Sequence, residues 1–398
     1  MKSATPCKTT KAKRQPICKH CKKRFRTASS TAIYCTRQCK EKAAAIAKRA
    51  NYTTKASDSA FMDLLARECT RAGTLQVLQG HTVASLTDLY ALYKRHLCVN
   101  EYGTAHQWAL SHIYPVRGQS DVGMFHASNL VLAPSDWNRS HGTKHFGHGL
   151  SIPRSQLQSR HEVHKGDSRK ETVTRIIHYL GEDVIAEFAK AVKLQPSQRH
   201  KTLTWLHAAL DPDIPEHAEH LCRLDGMSSK ALTSLKAQLQ GNESVGFKLI
   251  TQEASPFSTF TQELTRFAVI RPDLAPLAEF LGECIRQLNH REPVLVQSNL
   301  LPLLFELLHG KELSAVAEGL TPILHQFKTL GKIASSVPSL TQAELVAKPV
   351  ALVAPTSTVV VLKTFRSFAD ELDGEVVDYV PRSPGQSTHV DDLPIWSI

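Results

Sequence analysis

Four cysteines near the N-terminus have the spacing of a metal-binding finger. Cys18 and Cys21 are separated by two residues, and Cys35 and Cys39 by three. A two-residue gap lets a tight turn aim two thiolates at one ion, and the first turn of a following helix can supply the second pair. Because a segment this small cannot fold by apolar burial alone, bound metal would drive its folding. The pattern predicts a structural zinc site with four cysteine ligands and no open coordination position.

The positive charge of the chain is concentrated around this finger. Residues 1–55 contain 16 Lys/Arg and one acidic residue, a net charge of +15, whereas the rest of the chain has 32 basic and 36 acidic side chains, a net charge of −4. A local polycation of this kind usually meets phosphates, although a solvated basic tail is the alternative. The candidate nucleic-acid contacts are the basic residues of the finger itself: Lys19, Lys22, Lys23, Arg24 and Arg26.

A second group of polar residues lies between residues 107 and 142. The strand signals are WALSHIYPV and NLVLAP. His112 lies in the first, Asn129 begins the second, and Asn138 follows in a segment with helical character. A neutral histidine suits the role of general base near pH 7, and an amide oxygen can bind a hard cation such as Mg²⁺. A base at a strand end and a ligand on a facing helix would bracket a phosphodiester from two sides. These residue types therefore indicate phosphodiester hydrolysis.

The order His112, Asn129, Asn138 in a strand–strand–helix setting resembles the HNH endonuclease family, which cuts phosphodiester bonds on a ββα-metal fold. Pro115, three residues after the histidine, also matches the family pattern. The resemblance covers about residues 100–150. It implies that His112 is the general base, that Asn129 ties the loop together, and that Asn138 binds a catalytic Mg²⁺ or Mn²⁺. It also implies products with 5′-phosphate and 3′-hydroxyl ends.

One position departs from the family pattern. Ser111 stands where the family usually has Asp or His as a second metal ligand, and a neutral serine is a weak ligand. Two interpretations stay open. In one, Asn138 holds the ion and Ser111 is a water-mediated or hydrogen-bonding neighbour. In the other, the site has lost activity, and the chain is a non-catalytic zinc-finger nucleic-acid-binding protein with a degenerate HNH scaffold.

Further histidines and arginines surround the motif. His141 lies three residues after Asn138, so both could face one side of a helix, and His141 is a candidate metal ligand or phosphate contact. Arg139 and Arg117 are candidate phosphate clamps, with solvated arginines as the equally weighted alternative. The remaining histidines are weaker candidates, because single histidines are more often surface or packing residues: His126, His145 and His148.

The sequence as a whole predicts an α+β protein that is mostly α-helical. The expected order is a disordered basic tail at 1–16, the finger with a basic helix at 17–55, the nuclease domain with preceding helices (59–79 and 83–98) at 56–165, an α-helical domain at 171–333, and a linker, a strand at 356–365 and a flexible tail within 334–398. The polar stretch from 151 to 170 reads as a linker. The helical domain has no phosphate loop and no metal-spaced Cys/His set, so we expect it to bind a protein partner or to self-associate.

Cysteine usage and hydropathy indicate a soluble, intracellular protein. Nine cysteines, five of them scattered, argue against a disulfide framework and for a reducing compartment. The strongest apolar stretch, LLPLLFELL at 300–308, is too short to span a bilayer, and the basic N-terminus is not followed by the apolar run of a signal peptide. We expect a cytoplasmic protein, with phage or mobile-element origin among the options, that acts on double-stranded DNA and not at a membrane.

Overall fold

The computed structural model describes residues 14–103, 105–241, 255–287, 294–331, 333 and 335–340. Within these ranges the chain forms thirteen α-helices and four short strands, so the predicted class, α+β and mostly α, is confirmed. No helix in the described ranges has the length and apolar character needed to cross a membrane. The basic tail before residue 14 and the strand predicted at 356–365 lie outside the described residues.

All four strands of the described part lie between the third and fifth helices. The elements up to that point are α1 (Arg37–Ser57), α2 (Ala60–Ala72), α3 (Val83–Val99), β1 (Trp108–His112), β2 (Asp121–Gly123), β3 (Leu130–Pro134), α4 (Ser135–His141) and β4 (Ser151–Pro153). The helices that follow are α5 (Arg169–Leu180), α6 (Glu182–Ala191), α7 (Gln198–Ala209), α8 (Pro215–Arg223), α9 (Ser229–Leu239), α10 (Pro256–Phe267), α11 (Ala275–Gln287), α12 (Val294–Leu308) and α13 (Leu313–Gly331).

Short polar side chains determine where the first helices begin. Thr36 accepts a hydrogen bond from the third residue of α1, Ser59 does the same for α2, and Thr82 forms a capping box with Ser85 at the start of α3. Such caps satisfy backbone amides that have no partner inside the helix. Helix α2 ends at Gly73, whose φ of +77° is the left-handed conformation of a helix C-terminus, so it is shorter than the predicted 59–79.

The antiparallel hairpin of β1 and β3 is a layer between two helical cores. Ser111 pairs with Val131 and His112 with Leu130, and because side chains alternate along a strand, Ser111 and His112 lie on opposite faces. Leu130 packs with the core of α2, α3, α5 and α6, and Val131 packs with the core of α10 to α13. Every residue of β1 is buried. The two candidate residues at its end therefore meet different sets of helices.

Side-chain packing divides the C-terminal helices among three cores. Helices α5 and α6 pack with α2 and α3 in a core that includes Phe61 and Phe188. Helices α7 to α9 form a small core around Leu206, and helices α10 to α13 cover one face of the hairpin. This packing differs from the predicted division into a nuclease domain at 56–165 and a single helical domain at 171–333, because apolar periodicity identifies helices but not their partners.

The sequence predicts a linker from 151 to 170, but in the structure this polar stretch is part of the folded unit. Strand β4 pairs with β2, the side chain of Val163 is buried, and Glu162 forms an isolated antiparallel bridge with Thr74. A few buried residues anchor this stretch, and its polar composition reflects the exposure of the others.

Candidate functional site

The four cysteines of the finger converge as predicted. The Sγ atoms of Cys18, Cys21, Cys35 and Cys39 all lie within 4.8 Å of one another. The Sγ atom of Cys35 is 3.6 Å from that of Cys21 and 3.4 Å from that of Cys39, and all four thiols are free. The group can hold a metal ion.

Two local turns place the two cysteine pairs. In the first, the amide of Lys22 donates to the carbonyl of Cys18 at 3.0 Å, and the amide of Cys18 donates to the carbonyl of Lys23 at 2.9 Å. Lys22 has a φ of +60°, a left-handed conformation that is uncommon for residues other than glycine. In the second, Thr36 caps α1 by accepting from the amide of Cys39, which brings Cys39 beside the cysteine that precedes the helix. Each turn is closed by hydrogen bonds between residues only a few positions apart in the sequence.

The first turn also activates a thiol. Burial in the finger raises the pKa of Cys18, but hydrogen bonds from the backbone of Cys21, Cys35 and His20 outweigh this effect and lower the pKa to about 6. The thiolate is the form that binds a metal ion. The backbone hydrogen bonds therefore favour the form of Cys18 that binds a metal ion.

The predicted nucleic-acid contacts of the finger are exposed. Lys19, Lys22, Lys23, Arg24 and Arg26 all lie at the surface, and none of them forms an ion pair with another part of the chain that the structure describes. Helix α1 continues this basic surface, and a salt bridge of 2.6 Å between Arg49 and Asp183 joins it to α6. The finger thus presents uncompensated positive charge.

His112, at the end of β1, is 8% exposed and lies beside a cation. Its Nδ1 atom is 3.2 Å from an Nη atom of Arg71. Because a guanidinium only donates, Nδ1 bears the lone pair, and the proton of the neutral ring is on Nε2. Nε2 is buried and has no hydrogen-bond partner in the described part of the chain. Burial, together with Arg71 and His309, lowers the pKa of His112 well below its usual value of 6.5, so the ring is neutral at pH 7.

Arg71, which the sequence did not indicate, is held by its own helix. Glu68, one turn earlier on α2, accepts from Nε and Nη2 of Arg71 at 2.9 and 2.5 Å. The Arg71 side chain is 21% exposed, so its guanidinium contacts both the buried histidine and solvent. In the sequence, Arg71 is one polar residue of an amphipathic helix 41 positions before His112, and no local spacing connects the two.

Asn129 fastens the loop between the strands. Its Oδ1 atom accepts from the amides of Tyr114 and Leu150 at 3.0 Å, and its Nδ2 atom donates to the carbonyls of Met124 and Tyr114 at 2.8 and 3.3 Å. A Cβ atom at Gly149 would lie 2.5 Å from Oδ1, so only glycine fits there. These contacts use the full hydrogen-bonding capacity of the amide. Asn129 has no donor or acceptor left for a substrate.

Ser111 forms a buried pair with His309, the residue that directly follows α12. Its Oγ atom is 2.7 Å from Nε2 of His309, whose Nδ1 atom is 2.7 Å from the carbonyl oxygen of Phe305. A carbonyl only accepts, so Nδ1 of His309 carries the proton and Nε2 accepts from the serine hydroxyl. Burial lowers the pKa of His309 to about 3, which keeps the ring neutral. The sequence did not single out His309, which lies 198 residues after Ser111.

Helix α4 brings a second imidazole to this pair. The ring centroid of His141 is 4.7 Å from that of His309, and the Nε2 atom of His141 is buried without a hydrogen-bond partner in the described ranges. Asn138, one turn earlier, is half-buried. Arg139 points away from the core and pairs with Asp136 at 3.1 Å. We call Ser111, His141 and His309 the histidine centre.

The weaker candidates mostly have packing partners. His126 stacks on His81 with 3.7 Å between ring centroids, His145 lies 4.6 Å from the ring of Tyr114, and His148 pairs with Glu312 at 2.9 Å. Arg117 is exposed. The structure thus brings Ser111 and His141 together through His309, and it places His112 on the other face of β1 with Arg71. No hydrogen bond within the described residues joins the side chain of Asn138 to any of them.

Comparison of the chain with protein-family models, with curated proteins and with solved structures finds no match. The geometry of the finger, of the hairpin end and of the histidine centre therefore carries the functional interpretation.

Proposed function

We propose that this protein is a metal-dependent endonuclease of the HNH type that hydrolyses phosphodiester bonds in DNA. The observation that carries the proposal is the end of β1, where neutral His112 lies against the cation Arg71 in a hairpin that leads directly into the helix of Asn138. A base, a phosphate-binding cation and a metal-ligand helix are the parts that such a hydrolysis needs.

In this proposal the chain's own residues divide the work. A phosphate that draws Arg71 toward itself frees the Nδ1 lone pair of His112, which then takes a proton from the attacking water. Glu68 keeps the guanidinium near this position. A divalent cation held by Asn138 would neutralise the charge that develops on the leaving 3′ oxygen. The residues fit such an ion, because the half-buried amide of Asn138 and the unpartnered Nε2 of His141 lie on one helix.

The finger serves substrate binding in the same proposal. Four thiol ligands with no carboxylate or imidazole are the donor set of a structural zinc ion, which would hold the two cysteine turns together. The exposed lysines and arginines of the finger then contact phosphates, and binding weakens as salt is added.

A second candidate function has its own supporting observation. The hydroxyl of Ser111 is hydrogen-bonded to His309, and a serine at position 111 provides no carboxylate to bind a metal ion. The side chain of His112 is nearly enclosed. Both features suit a nucleic-acid-binding protein whose HNH scaffold no longer cuts.

Nicking of supercoiled plasmid in Mg²⁺ or Mn²⁺ separates the two. The full chain is compared with His112→Ala and Asn138→Ala, and with His207→Ala as a control, because His207 is an exposed histidine on α7. We expect the parent and the control to nick, and His112→Ala to lose about 10²–10⁴-fold in rate, the usual contribution of a general base. Salt-sensitive DNA binding without cleavage in any metal would establish the second candidate. Full activity in His112→Ala would place the chemistry elsewhere.

A further inference from the structure

The histidine centre has the features of a metal site that the His-Asn-Asn motif does not include. His309 donates its Nδ1 proton to the carbonyl of Phe305 and presents the Nε2 lone pair on its other side. Metal-binding histidines in proteins almost always have this arrangement, in which a hydrogen bond at one nitrogen orients the other toward the ion. Among the described residues, the Nε2 lone pair of His309 has the hydroxyl of Ser111 as its hydrogen-bond partner, a small group that can rotate away.

His141 provides a second nitrogen at the same place. Its Nε2 atom is buried without a hydrogen-bond partner in the described part of the chain, which is an unfavourable state for a polar atom. The two ring centroids are 4.7 Å apart and the rings are inclined by 52°. Each Nε2 atom lies about 1 Å from its centroid, so a centroid separation of 4.7 Å is compatible with both atoms at the 2.0–2.1 Å bond length of one ion. A bound ion would give this nitrogen the partner that it lacks.

The departure at Ser111 then has a physical explanation. The imidazole of His309 lies 2.7 Å from Oγ of Ser111, and so occupies the space into which a longer side chain at position 111 would extend. A serine at this position and a histidine at position 309 are therefore complementary. The ligand that position 111 does not supply comes from a helix 198 residues further along the chain.

We propose that His309 and His141 bind a transition-metal ion, with oxygen ligands from Ser111 or Asn138 and water completing its coordination. Two imidazoles favour Zn²⁺, Co²⁺ or Ni²⁺ over Mg²⁺, which prefers oxygen ligands throughout. This site deepens the proposed function, on which it rests for its catalytic meaning, because it names the ligands and the class of metal at the end of β1. Its existence is nevertheless measurable without cleavage.

The test is Co²⁺ binding to the full chain whose finger is loaded with zinc. Visible d–d absorption of Co²⁺ reports the new site, and thiolate charge-transfer absorption in the near ultraviolet reports any exchange at the finger. We expect one Co²⁺ per chain without thiolate absorption. His141→Gln should weaken this binding at least about tenfold, the loss that even an outer-shell substitution produces, and His207→Gln should leave it unchanged.

His309 is fully buried, so His309→Gln is interpreted only if its circular dichroism and thermal unfolding match the parent. If that variant does not fold, the Co²⁺ affinity of His141→Gln tests the proposal, because the side chain of His141 is partly exposed. Absence of a non-thiolate Co²⁺ equivalent, or equal affinity in His141→Gln, overturns the proposed site. Co²⁺ binding without plasmid nicking would support the metal site and contradict the nuclease. Nicking in Mg²⁺ that is equal in His141→Gln, with no Co²⁺ bound, would support the nuclease and contradict the site.

Discussion

The cysteine finger and the histidine centre assemble their side chains over very different lengths of chain. The finger takes all four thiols from residues 18–39, and two turns of a few residues each place them. The histidine centre takes Ser111 from a strand, His141 from the following helix and His309 from a helix that closes over the hairpin much later. The finger is a local structure at the surface, whereas the centre exists only while several helices stay packed.

The same contrast holds for electrostatics. The basic side chains of the finger are exposed and free to bind an anion, whereas the rings of the centre are kept neutral by burial. Exposed cations suit a contact that forms and breaks with substrate. Neutral buried imidazoles suit coordination or proton transfer. The finger thus supplies positive charge, and the histidine centre supplies nitrogen lone pairs.

Removal of metal from the finger is the strongest way to separate the two regions. Structural zinc contributes about 10–16 kcal/mol to the folding of finger peptides, so Cys39→Ser or a chelator should unfold residues 14–36. Only Ala56 of α1 is buried, and the cores around Phe61 and Phe260 contain no finger residue. We expect zinc content and DNA affinity to fall sharply. Thermal unfolding of the helical cores should change little, and its collapse would show that the finger is not an independent structure.

The centre should instead depend on how α10 docks on the hairpin. Glu263 on α10 is fully buried, binds Arg95 at 2.7 Å and Arg266 at 2.5 Å, and accepts from the amide of Leu132 at 3.4 Å. Glu263→Ala leaves two partly buried cations without their carboxylate, and breaking such a pair costs about 3–5 kcal/mol. Urea unfolding measures the loss. The control is Glu279→Ala on the exposed face of α11, which should change stability by less than about 0.5 kcal/mol.

Glu263→Ala also tests the comparison directly. Its zinc content should equal that of the parent, because the finger is built from its own turns, and its Co²⁺ binding should weaken, because His309 is carried by the same group of helices as Glu263. Equal Co²⁺ affinity in the variant would mean that the centre does not depend on this docking.

Acid should weaken the fold through its buried histidines. Burial lowers the pKa of His309 and of His81 to about 3, and that of His96 to about 4, against 6.5 in the unfolded chain. Below pH 6.5 the unfolded chain takes up protons that the folded chain does not, so stability falls as pH falls toward 4. Each histidine contributes up to about 1.4 kcal/mol per pH unit. Urea titrations at pH 7, 6 and 5 measure this slope, and equal stability at the three values would contradict the neutral burial of these rings.

Much of the fold could be anticipated where neighbouring residues carry the information. The cysteine spacing and the strand that contains His112 were predicted from neighbouring residues, and the structure has both. Helix caps such as Thr36 and Ser59 likewise depend on contacts within a few residues. The partners of these elements could not be anticipated in the same way. The stretch from 151 to 170 looks like a linker because 15 of its 20 residues are polar, yet the buried side chains of Ile152 and Val163 hold part of it in the folded unit.

The sequence by itself determined the finger, the hairpin with its histidine, and the charge that surrounds them, because thiol spacing, strand alternation and net charge are local properties. Only the tertiary structure decided that Arg71 lies on His112 and that His309 lies on Ser111. These pairs join residues that are far apart in the chain, and packing on the two faces of one hairpin brings them together. A side chain whose partner is distant leaves no periodicity or spacing in the sequence, so its role becomes visible only when the helices that carry it are in place.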